Sequence, residues 1–394
     1  MESKSHFFMA MYILPSILLL AACTGFPVSI PGSSPTPIQK QTTAAITKPP
    51  SLPPTAAPTS TPTFIPPLTS TSTPAMTPTH PPLTPVQVTE GCHGCASPQI
   101  VIDAQGTLHL FWRWAGGDAN VGYAQIKTGG QWEKQELRLN DDSWYVFSTN
   151  YRLLHNPLGQ ACLTAFGHNY QTSEPALLVR CYDGTHWLDT QKLSTGNCDS
   201  TLSTCDFAFA PDGQLRVLDG KQIPGQDVQA FSFIIDQNGS YHALLYAGVD
   251  TPSVLYRFSA DNGQSWSPAQ KLADEYSMPE LQPDTQGNLY YWTRTSYRRW
   301  SSTQGWQDPV DVLRYGIQEI KRLVPAADGR LRILSGKGVA SSGIYYSEQL
   351  SDEEWSMPIQ VSQNGINADL VIDMNGVAHI AFDEWGQIYY MTIR

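Results

Sequence analysis

Asp369-Leu-Val-Ile-Asp373-Met-Asn-Gly376-Val-Ala-His-Ile380 decides the fold. An apolar run stops at an Asp, a Gly follows three residues later, and a second run begins. The carboxylate is suited to accept the amide hydrogens of a tight turn, and Gly supplies the positive φ, so the stretch reads as a β-hairpin. The same unit occurs six more times, at Gln99–Phe111 around Asp103 and Gly106, at Arg152 to Gly159 around Asn156, at Asp206–Leu218 around Asp212 and Gly213, at Ser232–His242 around Asp236 and Gly239, at Glu280–Tyr290 around Asp284 and Gly287, and at Arg322–Leu334 around Asp328 and Gly329. The turn glycines are separated by 53, 54, 26, 48, 42 and 47 residues. A period near 45 with two hairpins per unit predicts an all-β propeller whose blades carry four strands each. The interval of 26 is too short for a blade. It leaves two expectations open: seven blades with one reduced to a hairpin near 205–220, or six with that hairpin inserted.

A second hairpin follows most of the first ones. The clearest is Tyr256-Arg-Phe-Ser259-Ala-Asp261-Asn-Gly263-Gln-Ser-Trp266, with weaker forms at Asp183-Gly184-Thr-His-Trp187, Gly129-Gly130-Gln-Trp132, Gly305-Trp306 and Ser351-Asp-Glu-Glu-Trp355. Asp caps the turn, Gly permits it, and Trp folds back as a wedge, so these five of the eleven tryptophans are expected in the core. Ser259, Asp261, Gly263 and Trp266 match Ser-x-Asp-x-Gly-x-x-Trp, and the region 84–394 resembles the Asp-box (BNR repeat) family of sialidase-like propellers. In that family the boxes are structural and lie away from the active site.

The ends of the chain fit the same plan. Ile388-Tyr-Tyr-Met-Thr-Ile-Arg394 closes the last repeat without a fourth strand, and Thr84-Pro85-Val-Gln-Val88 has the fourth-strand pattern. It is expected to complete the last blade and leave no open edge; the alternative assigns 84–89 to the linker. Residues 1–22 read as a signal peptide, with Lys4 ahead of the apolar run Phe7–Leu20. Leu20-Ala21-Ala22-Cys23 is similar to a bacterial lipobox, which implies acylation of Cys23 and an extracytoplasmic, membrane-anchored protein. Residues 23–83 are rich in Pro, Thr and Ser and lack hydrophobic periodicity, as expected of a disordered, extended tether. Six cysteines remain in an oxidising compartment. Cys162 and Cys181 fall on adjacent strands, Cys198 and Cys205 flank a Ser/Thr-rich loop, and Cys92-His-Gly-Cys95 reads first as a local disulfide and second as a redox or metal site.

Charged residues are 15% of the chain and the formal net charge is -11. That charge opposes binding to phosphate backbones and to anionic membranes, so nucleic acid is not an expected partner and a membrane is expected only through the lipid. No cofactor or metal is implied, and a monomer is expected. The loops between strands two and three and the links between blades share one face, opposite the Asp-x-x-Gly turns. Trp144, Tyr170 and Arg294 fall there and are candidate ligand contacts. The residue seven before each turn Gly is always polar: Gln99, Arg152, Asp206, Ser232, Glu280, Arg322 and Asp369. The next residue is always apolar. The polar position is expected at the entry of the innermost strand, forming an axial ring. It either holds an anionic or polyhydroxylic ligand through Arg152 and Arg322, with Asp206, Glu280 and Asp369 beside them, or bridges the blades.

The family resemblance would cast Arg152 and Arg322 on a substrate carboxylate, Asp206 as acid, and Tyr315 with Glu280 as nucleophile pair. Tyr151-Arg152-Leu153 resembles the family's Tyr/Phe-Arg-Ile-Pro motif, but Leu154 stands where Pro belongs and the match falls in the second repeat. The preferred expectation is therefore a non-catalytic glycan- or protein-binding module. A sialidase-like glycoside hydrolase and an envelope scaffold are the alternatives.

Overall fold

In the described residues, strands fall into seven antiparallel sheets, numbered I to VII here in chain order. The structure is a computed structural model that describes residues 84–90, 92, 94–114, 121–128, 131–139, 144–195, 205–224, 228–248, 252–274, 280–336 and 343–394. All of these belong to one compact unit, Met76–Arg394. The signal segment with Cys23, the tether and Cys198 lie outside the described residues.

Sheet I holds Cys95–Ile102, Leu108–Trp114, Val121–Thr128 and Gln131–Arg138, and sheet II holds Trp144–His155, Ala161–Asn169, Pro175–Cys181 and Gln191–Ser194. Sheet III is the pair Cys205–Phe209 and Leu215–Asp219. Sheet IV holds Val228–Ile235, Tyr241–Ala247, Ser253–Ser259 and Gln270–Ala273. Sheets V and VI start with Leu281–Pro283 and Glu319–Pro325, and in both the outer strand is split into two pieces that pair with the third strand. Sheet VII holds Ala368–Ile372, Ala378–Glu384 and Gln387–Ile393, and its fourth strand is Val86–Gln87, from the other end of the sequence. Val86 pairs with Tyr390 and Gln87 with Tyr389, so the expected closure is present.

Sheets I to VII form a ring because no sheet can cover both its faces alone. Seven apolar clusters lie one at each junction: Val101, Phe111 and Leu163 join I to II, Leu177 and Phe207 join II to III, Ala208 and Phe233 join III to IV, Leu244 and Leu281 join IV to V, Tyr290 and Leu323 join V to VI, Leu334 and Leu370 join VI to VII, and Tyr390 and Leu110 join VII back to I. Each fully buried Leu or Phe contributes about 1.5–3 kcal/mol. All five box tryptophans, Trp132, Trp187, Trp266, Trp306 and Trp355, belong to these junctions, and the rings of Trp132, Trp187, Trp306 and Trp355 pack on Tyr390, His109, Tyr256 and Tyr297 of the preceding sheet.

The box at Ser259 closes as its chemistry predicts. Asp261 accepts from the Ser265 N–H and from Ser259 Oγ, both at 2.8 Å, and Ser259 Oγ accepts from the Gly263 N–H at 2.8 Å. Hydrogen bonds from Ser265 and Ser259 lower the Asp261 carboxyl to about 2. Asn262 and Gly263 are both left-handed, at φ 58° and 83°.

Cys162 and Cys181 are register partners on adjacent strands and form a disulfide, as do Cys92 and Cys95. Cys205 is disulfide-bonded as well.

Candidate functional site

The ring of polar residues is the first place to look for a site, and it differs from the expected geometry. Asp206, Glu280 and Asp369 do stand at or next to the start of an inner strand. Gln99, Arg152, Ser232 and Arg322 lie well inside theirs. In those four sheets the pairing shifts on the loop side of the ring residue, between Ala96 and Gln99, Val146 and Tyr151, Val228 and Ala230, and Ile320 and Arg322. The ring therefore marks the level at which regular inner-strand pairing ends. A repeat-based reading puts every such residue at the strand end because a bulge is invisible to it.

The side chains of the ring reach sideways, from one sheet to the next. Gln99 accepts the Leu153 N–H at 2.5 Å and donates to the Tyr151 carbonyl at 2.8 Å, joining I to II. Arg152 pairs with Asp206 across II and III, and its guanidinium lies 5.3 Å from the Phe207 ring centroid. The other oxygen of Asp206 accepts the Phe233 N–H at 2.8 Å, joining III to IV. Arg322 pairs with Glu280 of sheet V and with Asp369 of sheet VII, the latter at 3.1 Å. Asp369 accepts the Ile100 N–H at 3.0 Å and so joins VII to I. Three bonds follow one rule: the ring side chain takes the N–H just after the ring position of the next sheet. Among the described residues only the IV–V junction, Ser232 to Glu280, has no such bridge.

Burial sets the electrostatics. Burial pushes the Asp206 and Asp369 carboxyls up, against the pull of Arg152 on the first and Arg322 on the second. Asp206 is 6% exposed and Arg152 45%, so the first pair is a buried anion under a partly solvated cation. A carboxylate that already accepts a guanidinium and a backbone N–H is poorly placed to give or take a proton.

Other expected contacts are dispersed. Trp144 is a correction: it starts the inner strand of sheet II and is buried in the I–II core, with Lys192 Nζ 5.2 Å from its ring. Tyr170 is exposed at the turn between the second and third strands of sheet II. Arg294 is exposed too and lies 3.6 Å from Glu319. Tyr315 does not meet Glu280. Its ring lies 6.4 Å from Trp355, on the outer strand of sheet VI, whereas Glu280 precedes an innermost strand.

The position three after each turn Gly, a structural one by its place on the second strand, is tied to the turn itself. His109, His242 and His379 lie 2.9, 3.3 and 3.4 Å from Asp103, Asp236 and Asp373 of their own turns. Tyr290 donates to Asp284 at 3.4 Å. Where the acid sits directly before Gly instead, the partner is an arginine, Arg216 with Asp212 at 3.0 Å and Arg332 with Asp328 at 3.3 Å. The pairing of acid position with partner type is present in the sequence and is the signal that identifies these as structural. Burial lowers the basicity of all three imidazoles. His242 and His379 also meet Tyr256 and Tyr390 hydroxyls at 2.7 and 2.6 Å, while among the described residues the fully buried His109 has no hydrogen-bond partner at Nδ1. The register places Ala124 where the other two sheets have the tyrosine.

A cleft of about 520 Å³ opens on the turn face, between the turns of VII, I and II, with His155, Asn156, Met374 and His379 among its lining. Its Asp103 and Asp373 carboxylates are already occupied by turn amides and imidazoles. Among the described residues no group of three or more His, Cys, Asp or Glu could hold a metal ion.

No protein-family model matches the chain, and no curated protein does. Among solved structures it is similar to a Hadza microbial sialidase at 12% identity, over 77% of this chain and 66% of that one, with a TM-score of 0.47. It is similar to an α-L-arabinanase of Penicillium chrysogenum complexed with arabinobiose at 13% identity, over 79% and 98% of the two chains, with a TM-score of 0.47. An intramolecular trans-sialidase from Ruminococcus gnavus matches at 10% identity, over 79% and 97%, with a TM-score of 0.46. The chain spans less than two thirds of the length of the Hadza protein. The propeller architecture stands on the strand pairing and the seven closed junctions, independently of these likenesses.

Proposed function

We propose that the protein is a lipid-anchored, sialidase-like surface propeller that binds a glycan or a protein at its loop face and does not turn it over. The observation that carries this reading is the mutual neutralisation of the ring: Arg152 and Arg322, its two arginines, are each paired with carboxylates that also bridge sheets. We read the wheel as seven positions, with sheet III a blade reduced to its inner hairpin.

Acylation at Cys23 and a tether over 23–83 are part of the proposal, as are an extracytoplasmic location and a monomeric state. The Val86–Gln87 strand runs antiparallel to Gln387–Ile393, so the chain enters sheet VII from the turn face.

The test is direct. The purified chain is assayed on fluorogenic sialosides and other aryl glycosides, and on immobilised glycans and surface proteins. Binding without turnover is expected. Turnover abolished by Asp206→Asn would replace the binder with the enzyme, and neither binding nor turnover would leave an envelope scaffold.

A further inference from the structure

The two-residue turn between Ala378–Glu384 and Gln387–Ile393 in sheet VII carries an unusual residue. Glu384 pairs with Gln387, and the two residues between them, Trp385 and Gly386, are both left-handed at φ 53° and 73°. This is the backbone of a tight hairpin, in which Asn, Asp or Gly is the unstrained choice at the first position. A bulky side chain at positive φ is a genuine outlier and is held under strain. The indole offsets little of it by packing, because Trp385 is 79% exposed, and among the described residues it makes no ring contact or hydrogen bond.

The surroundings hold the turn in place through its backbone and its flanking side chains. The Cys95 N–H donates to the Gly386 carbonyl at 3.0 Å. The Gln387 amide donates to the Cys92 carbonyl and accepts from Thr89 Oγ1, the latter at 2.9 Å. The Cys92–Cys95 disulfide closes the loop that supplies these groups. On the other side Glu384 accepts from Ser362 Oγ at 2.7 Å and from Asn364 Nδ2 at 3.0 Å. A strained residue fixed from both sides and left in solvent at the loop face has the character of a preorganised contact rather than a packing element.

We infer that Trp385 is the stacking platform of a sugar-binding site, with Glu384 as the hydroxyl acceptor beside it. A pyranose offers one C–H face and a belt of hydroxyls. It matches an isolated aromatic plane bordered by an anchored carboxylate and by Asn364 and Gln387 amides. Glu384 and the net charge of -11 select a neutral sugar over an acidic one, since Arg152 and Arg322 are already paired. This deepens the binding reading and depends on it.

The full chain is tested on an array of neutral and sialylated oligosaccharides, and the variants W385A, W385F and W385N are compared with it in binding and in thermal unfolding. The wild type is expected to bind neutral glycans, and sialylated ones no better. W385A and W385N should weaken binding on the order of tenfold or more, as for a central aromatic contact, and W385F by less. W385N should also raise the unfolding midpoint, because Asn adopts the left-handed turn with less strain. Unchanged binding in W385A and W385N overturns the role of Trp385 but leaves the binding reading intact. A lowered midpoint in W385N makes Trp385 a packing residue and overturns it as well. A wild-type chain that binds no glycan removes the glycan reading itself.

Discussion

At the turn face, Asp103, Asp236, Asp284 and Asp373 each place one carboxylate oxygen on the N–H groups two and four residues on, and Asn156 does the same with its amide oxygen. At the ring, in the same inner strands, the junctions are bridged by an amide to backbone, by arginine–carboxylate pairs and by carboxylates to backbone, and among the described residues one junction is left without a bridge. The difference lies in the range of the contact. A turn closes within four residues, so one acid at one place suffices and can be copied. A junction joins residues 27 to 269 apart in sequence, and each pair must be matched separately. The turn face is thus built by repetition and the ring by fitting.

Lowering pH should break the turn face first and with the largest effect. Burial holds His109, His242 and His379 below the ordinary imidazole value of 6.5, so the folded state disfavours their protonation. Their contribution is complete above 6.5 and is lost as pH falls from there through the folded values. A second loss is expected from Asp183 and Asp261, held near 2 by turn hydrogen bonds, as pH falls from about 4 towards 2. Unfolding midpoints from pH 8 to pH 2 should therefore fall in two stages. A flat profile between pH 7 and 5 would contradict the buried neutral imidazoles.

Asp103→Ala is next in size. It leaves two turn amides and the fully buried His109 without their acceptor, at a cost of about 3 kcal/mol, or roughly 4–6 °C in a thermal melt. Gly159→Ala and Gly106→Ala sharpen the point within one face. Both glycines have positive φ, but a Cβ on Gly159 would lie 2.6 Å from the Ala104 Cβ, while one on Gly106 meets nothing within 4 Å. The first should lose roughly 2–3 kcal/mol in denaturant titration and the second about 1 kcal/mol. Arg152→Ala, at the ring, should cost roughly 1–2 kcal/mol: the arginine is half in solvent, but the buried Asp206 it leaves behind keeps the Phe233 N–H and must take up a proton or stay uncompensated. If it cost as much as Asp103→Ala, the contrast between the two levels would fail.

The same contrast explains what the sequence made legible. The hairpins, the box at Ser259, the closure by Val86–Gln87 and the Cys162–Cys181 bridge all follow from local chemistry or strand order. The level of the ring did not, because the register shift before Arg152 changes no residue type. Trp144 reads as a loop aromatic until the inner strand of sheet II is seen to start there. Tyr315 and Glu280 could be matched as a pair only by role, and role does not specify which strand of a sheet, inner or outer, a residue adjoins. Trp385 stood in a recognisable turn, but its strain becomes visible only with its φ.

The two-residue strand at Val86–Gln87 has a mechanical consequence. Any tension on the chain ahead of residue 84 is borne first by this outermost strand, held by its pairing to Tyr389 and Tyr390 and by the Val88 N–H on the Ile388 carbonyl. Thr89, almost fully buried and bonded to both Gln387 and Ile388, is the next point of resistance. Under load the wheel would therefore start to come apart at its seam, by loss of the short strand from sheet VII, while the inner strands and their junctions stay in place.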